Sequence, residues 1–365
     1  LVVVAALVAV LVGCARPPEI VGIENPEIAA ESVPDITRHR LFLMTTRQAS
    51  EVVGALFSAE RAPELGLASV DVTIPPTHVS GQIERPRSLP PDPRTEFTVI
   101  SPIVYEAEEA FIREINRELA GRAAGERELM LFIHGYNNTT SDAILRLAQF
   151  VEDTDFKGIP VLFTWASAAS ASRYVYDLNS ALVARGQIKH LSEILSRTNA
   201  SSVNVFAHSM GAFLTMEGLV DAQLSGRLGQ RRERIPIDNV MLAAPDIDLD
   251  LFRTQVSLLP PWILERTYVF VSEDDGALRF SRRLAGGVAR VGAAESEELS
   301  ALGVTVIDLS EIDDSSSGSH SKFAGSPEVV QLIGAGLNSA SRFGDVSTHT
   351  LDEFLAGAPI RILRN

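Results

Sequence analysis

A serine hydroxyl becomes a nucleophile when a base takes its proton, an acid orients that base and donors receive the developing oxyanion. This chain offers a candidate for each part. The stretch 203–216 reads Val-Asn-Val-Phe-Ala-His-Ser-Met-Gly-Ala-Phe-Leu-Thr-Met. An apolar run, 203–206, ends in Ala207-His208-Ser209-Met210-Gly211, and a helix-compatible segment, 212–223, follows. This is strand, sharp turn and helix with Ser209 at the apex, the pattern G-x-S-x-G with alanine at the first glycine. Small flanking residues are a steric requirement, because strand and helix approach closely around a strained apex. The five-residue pattern alone is weak and arises by chance in roughly one chain of this length in four. Its context must therefore decide.

The base expected for Ser209 is His320, in the loop after a predicted strand over 304–309. Of the seven histidines, only His320 and His349 follow the elbow, and His349 falls beyond the last predicted core helix. Serine, acid, histidine is the chain order of α/β-hydrolases. The acid should then follow a strand between Ser209 and His320. Asp275 is favoured, at the start of a helix-like segment after the strand 267–271, with Asp274 next and Asp246 after it. Oxyanion donors are expected from the backbone of Met210 and of Tyr136. The latter sits in Leu-Phe-Ile-His-Gly-Tyr-Asn-Asn (131–138), a strand ending in His-Gly like a lipase oxyanion loop. Gly135 permits close backbone approach. His134 precedes the serine and reads as structural. His208 reads as packed, since neighbours at a strand end point to opposite faces.

The elements that must position these groups alternate. After predicted strands at 41–44, 68–74 and 98–104 comes an amphipathic helix over 106–122, with Phe111, Ile112, Ile115 and Leu119 at helical spacing. Strands at 129–133, 160–164, 203–206, 240–244, 267–271 and 304–309 then interleave with helices at 141–151, 177–197, 212–223, 275–284 and 327–337. Such alternation predicts an α/β fold: a mostly parallel central sheet with helices on both faces. The strands are nearly continuous apolar runs, as two covered faces require.

The 365 residues carry a formal net charge of −15 and a single cysteine, Cys14. That charge disfavours nucleic acid as a partner, and one cysteine excludes an internal disulfide or a cysteine zinc site. Asp246, Asp248 and Asp250 alternate, but Leu251 stands where a calcium loop needs glycine, so no metal is expected. Residues 1–12 are almost entirely alanine, valine and leucine. They have the length of a signal-peptide core and run into Leu-Val-Gly-Cys, which resembles a bacterial lipobox. The lipobox resemblance implies lipidation of Cys14. The absence of methionine at Leu1 fits a sequence whose front is missing. The expected organisation is a lipoprotein signal peptide over 1–14, a proline-rich tether over 15–36, a hydrolase domain over 37–340 and a tail over 341–365.

Together, several segments resemble the bacterial α/β-hydrolase family of unknown function DUF900. They are Thr45-Thr46-Arg47, Val72 to His78, Phe132 to Asn137, Phe163-Thr164-Trp165, Tyr174 to Ala181, Ala207 to Gly211, Ala243 to Asp248, Asp275 to Leu278, and Ile307 to Ser310 followed by His320. The resemblance spans about residues 40–337 and implies a hydrolase fold with Ser209, Asp275 and His320 as its triad. One departure is Ser167-Ala168-Ala169, where proline and glycine are expected nearby.

The function expected is a lipid-anchored serine hydrolase acting on an ester or lipid-like acyl substrate, without cofactor. It would face the periplasm, with the outer membrane favoured because alanine follows Cys14. A non-catalytic binding module of the envelope and an acyltransferase with the same triad are the alternatives. Tyr174 and Tyr176 are candidates for a substrate slot, although packing is the commoner role of such aromatics.

Overall fold

A computed structural model describes residues 16–228, 235–312, 320–338 and 359–364. One ten-stranded sheet organises them, in the order β10-β9-β8-β7-β6-β4-β5-β1-β2-β3. Its centre is parallel: β1 (Thr37–Ala49), β5 (Ile159–Thr164), β4 (Leu129–Ile133), β6 (Val203–His208), β7 (Ile237–Ala243), β8 (Thr267–Val271) and β9 (Thr305–Asp308). β2 (Phe57–Ile74) and β3 (Thr98–Tyr105) extend one edge antiparallel, and β10 (Arg361–Leu363) caps the other.

Alternation along each strand feeds two cores. In β4, Leu131 and Ile133 face the side covered by α1 (Glu108–Ala120), α3 (Tyr174–Ser196), α4 (Met210–Leu224) and α5 (Leu249–Leu258). Met130 and Phe132 face the other side, under α2 (Thr140–Thr154) and the late helix Pro327–Leu337. Every residue of β4 is buried, which is why this strand reads as an unbroken apolar run. The connection from β5 through α3 passes back over β4 to reach β6. The carboxyl ends of β4 and β6 therefore flank the point where the winding reverses, the usual place for a ligand crevice.

Two expectations are corrected. The stretch 15–36 was expected to be a tether, yet its described part packs on the sheet edge. Ile20 and Val21 are buried, Val21 bridges Val99, and the amide of Gly22 donates to the carbonyl of Val99. A short Ile20-Val21 pair among prolines gives no periodic signal, so the packing was not legible. The tail beyond residue 340 also contributes structure, since β10 pairs with β9.

His78 ties the loop after β2 to α2. Its Nδ1 meets Glu84 at 2.7 Å and its Nε2 meets Asp153 at 3.0 Å. Two carboxylates on one ring need both nitrogens protonated. Burial alone would lower this imidazole, but the two carboxylates outweigh it and raise it from 6.5 to about 9. A raised folded value contributes stability that is complete below the unfolded value and is lost as pH climbs through the folded one. Stability is thus expected to fall by on the order of 2 kcal/mol between about pH 6.5 and 9. Urea unfolding across that range should show the slope, and His78→Gln should flatten it.

Candidate active site

The turn after β6 places Ser209 at φ 54° and ψ −120°, a conformation suited to glycine. Neighbours hold it there. Its amide donates to Ala243 O at 2.9 Å, and its carbonyl accepts from Ala212 N at 3.0 Å and Asp246 N at 3.2 Å. Gly211 is required where α4 crosses the end of β4, because a Cβ there would lie 2.5 Å from the carbonyl oxygens of Ile133 and His134. A Cβ on Gly135 would lie 2.8 Å from Ser209 Cβ. These two glycines let the loop after β4 rest directly against the serine, which is 3% exposed.

His320 and Asp275 are brought together. The imidazole Nδ1 donates to Asp275 Oδ2 at 2.7 Å, and Asp275 is fully buried. The other carboxylate oxygen, Oδ1, accepts Leu278 N at 2.9 Å and so caps α6 (Gly276–Leu284). The two rival acids are engaged elsewhere. Asp274 accepts from Lys322 Nζ at 2.8 Å. Asp246 accepts from Tyr174 Oη at 2.9 Å and Ser281 Oγ at 2.7 Å, with Arg290 at 3.3 Å. Asp248 is the N-cap of α5. His349, Cys14 and the signal-like stretch lie outside the described residues.

His208, set aside as packed, does pack, and against the base. Its ring centroid is 4.7 Å from that of His320 and 4.8 Å from that of Phe323. Burial, and the proximity of His320, hold it well below 6.5. It is therefore neutral, and Nε2–H donates to His320 O at 3.1 Å. The residue next to the serine thus positions the loop that carries the base. Among the described residues no hydrogen bond joins the Ser209 hydroxyl to His320. Such links are often long before substrate arrives.

The loop 134–138 is held by a buried network that the sequence did not reveal. Arg47, 2% exposed on β1, donates from Nε to Thr164 Oγ1 at 2.9 Å. It also donates to the carbonyls of Asn138 at 2.8 Å and of Ser167 and Ser58 at 3.1 Å. Burial lowers this guanidinium to about 10, so it stays charged at neutral pH. Thr164 Oγ1 in turn lies 3.1 Å from His134 Nε2. Burial, then the charge of Arg47, lowers His134 to about 3. A neutral His134 that accepts at Nε2 donates from Nδ1 to Gly135 O, 2.8 Å away. Trp165 Nε1 donates to His134 O at 2.8 Å and stacks on its ring. With the Gly135 carbonyl committed to this network, the Tyr136 amide across the same planar peptide points away from it.

Asp177 closes the loop from the other side. Fully buried in the first turn of α3, it accepts from Asn137 N at 3.2 Å, Ala168 N at 2.6 Å and Ser167 Oγ at 2.5 Å. The departure at 167–169 is visible as strain. Ala169 adopts φ 52°, where a glycine would be relaxed. Tyr174 is committed to Asp246. Tyr176 lies under Arg61 and Arg173 and donates to Ala59 O, so both tyrosines serve packing contacts. Met210 is the first residue of α4, and its amide has no acceptor within the helix.

Lys322 is a further buried charge that sequence reasoning missed. It is 2% exposed, and its ammonium joins Asp274 to the carbonyls of Leu309, at 3.0 Å, and Ser310, at 3.4 Å. It ties the chain just after His320 to the ends of β8 and β9. A lone lysine two residues past a histidine carries no periodic or motif signal.

The family described as "Alpha/beta hydrolase of unknown function (DUF900)" matches residues 107–336. No curated protein matches the chain. Among solved structures, one from a study of two fungal esterases from Rhizomucor miehei is 13% identical. The match covers 84% of this chain and 85% of that one, with a TM-score of 0.35.

Proposed function

We propose, from the premise that this chain belongs to the DUF900 family of α/β-hydrolases, that it is a serine hydrolase cleaving a carboxylic ester or related acyl bond. The observation that carries the reading is the 2.7 Å bond from His320 Nδ1 to buried Asp275, on a loop touching the residue beside a strained serine.

In this reading Asp275 fixes the tautomer that leaves His320 Nε2 unprotonated. Nε2 takes the Ser209 proton as Oγ attacks the substrate carbonyl. The tetrahedral oxyanion is received by the amides of Tyr136 and Met210. His320 then gives its proton to the departing alcohol, and an acyl-enzyme remains. Water, deprotonated by the same imidazole, releases the acid and restores the serine. A rigid receiving loop suits this chemistry, since donors that need not reorganise stabilise the transition state most. Arg47 and Asp177 would provide that rigidity.

The reading extends to the front of the chain. Cys14 would carry the lipid, the tether would be short, and the domain would stand in the periplasm. No described helix is long and apolar enough to cross a membrane.

The test is a fluorophosphonate probe on the folded protein. Covalent phosphonylation, mapped by peptide mass to Ser209, is the expected result. A folded chain that takes no label, and turns over none of a panel of p-nitrophenyl esters, would make the hydrolase reading untenable and favour a binding module. Ester product formed with an added alcohol, in place of free acid, would instead point to acyl transfer.

A further inference from the structure

Helix α6, capped by Asp275, stands at the carboxyl end of the sheet, beside the candidate site. It buries Leu278 and turns Ser281 in toward Asp246. Its outward surface is divided. Ala277, Phe280 and Leu284 follow helical spacing along one stripe, and Phe280 and Leu284 are 49% and 51% exposed. Arg279, Arg282 and Arg283 form the neighbouring stripe, all exposed. Val288, just past the helix, is 37% exposed.

The charge on this surface runs against the rest of the chain. The protein has 47 acidic residues and a net charge of −15, yet there is none from Gly276 to Ala294, a stretch with four arginines. Arg279 and Arg282 donate to the carbonyls of Asp274 and Gly287, which neutralise nothing. Among the described residues no ion pair joins Arg279, Arg282 or Arg283 to a carboxylate.

A second observation gives this surface a direction. Arg16, the first described residue, donates to Asn137 O at 3.3 Å and pairs with Asp142 at 3.0 Å. The chain therefore joins the domain at the same end of the sheet as α6. The twelve residues at its front are almost wholly alanine, valine and leucine.

We propose that this end of the domain docks on an anionic lipid surface, with Phe280, Leu284 and Val288 entering the headgroup region and the three arginines meeting lipid phosphates. Exposed apolar residues beside cations that no described carboxylate pairs are what an interfacial helix presents. An acidic protein otherwise repelled by such a surface could approach it through this patch. The inference concerns binding and stands whether or not Ser209 is a nucleophile. If both hold, the substrate would be drawn from the layer on which the domain sits.

The full chain carrying Phe280→Trp tests this on vesicles of phosphatidylcholine alone and mixed with phosphatidylglycerol, each with brominated acyl chains. The added indole is expected to shift to the blue and be quenched on the anionic vesicles and not on the neutral ones. High salt should reverse the effect. Combining Arg279→Gln, Arg282→Gln and Arg283→Gln should weaken the helix contact about 100-fold, each cation near a charged surface being worth about fivefold. Thermal melts of the variants control for folding. An indole that stays unquenched while the protein floats with the vesicles would overturn the proposal, as would equal quenching on neutral lipid. A blue shift without lipid, accompanied by dimers in sedimentation, would assign the patch to a second copy of the chain instead.

Discussion

Replacing Ser209 with glycine is expected to stabilise the protein while abolishing turnover. At φ 54° and ψ −120° a serine is strained, at a cost of on the order of 1–3 kcal/mol for such a conformation. Glycine adopts that geometry freely but gains entropy in the unfolded chain, which returns about 0.5–1 kcal/mol. The net should be a gain near 1 kcal/mol, or about 2 °C in melting temperature for a chain of this size. The hydroxyl removed lies in a 3% exposed residue, so little solvation is lost with it. Hydrolysis should fall by at least about 10⁴-fold, since a triad without its nucleophile retains only what binding and amide donors supply. Calorimetry and ester turnover on the same sample check both halves. A fall in melting temperature would mean that the turn stores no strain.

The second large effect is expected at a residue remote from the reacting atoms. Arg47→Met keeps the bulk and removes the charge and donors that hold the carbonyls of Ser58, Asn138 and Ser167 and the hydroxyl of Thr164. Those acceptors are then buried without partners, and the loss should be about 3–5 kcal/mol, as for other broken buried charge networks. That is a large share of the stability of an ordinary domain, roughly 5–15 kcal/mol. Urea midpoints should drop accordingly. The loop 134–138 loses one of its anchors, so fluorophosphonate labelling should also slow at concentrations of urea well below unfolding. Asp177 holds the other side through backbone amides, and for that reason the loop should loosen without collapsing. A variant with unchanged stability would show that water replaces the guanidinium at no cost.

The legible part of this protein is the part whose signal is local. β4 and β8 were delimited correctly, because a strand covered on both faces is an unbroken apolar run between breakers. Asp275 could be ranked above Asp274 since it opens a helix, and the same carboxylate that caps the helix meets His320. What escaped the reading depends on distant partners. β1 runs from Thr37 to Ala49, far past the four apolar residues that announced it, because β2 supplies ladder partners for its polar flanks. Arg47 on that strand carries no local signal of burial, and the loops arriving from 138 and 167 turn it into a buried hub. Lys322 is hidden in the same way: two chain segments, at 274 and at 309–310, converge on its ammonium, and neither adjoins it in sequence. A motif marks where chemistry sits, whereas the charges that keep it rigid are specified by topology.

Asp275 has one oxygen on an imidazole and the other on the first turn of a helix. A carboxylate tethered at both ends cannot spin about its last torsion. The lone pair offered to the ring is the same one at every moment, and any tilt of the helix axis is felt at once as a change in that angle. Homologation to glutamate would slacken both grips together, and no rotamer restores one without abandoning the other. The acid of this site is therefore less a movable side chain than a corner of the scaffold.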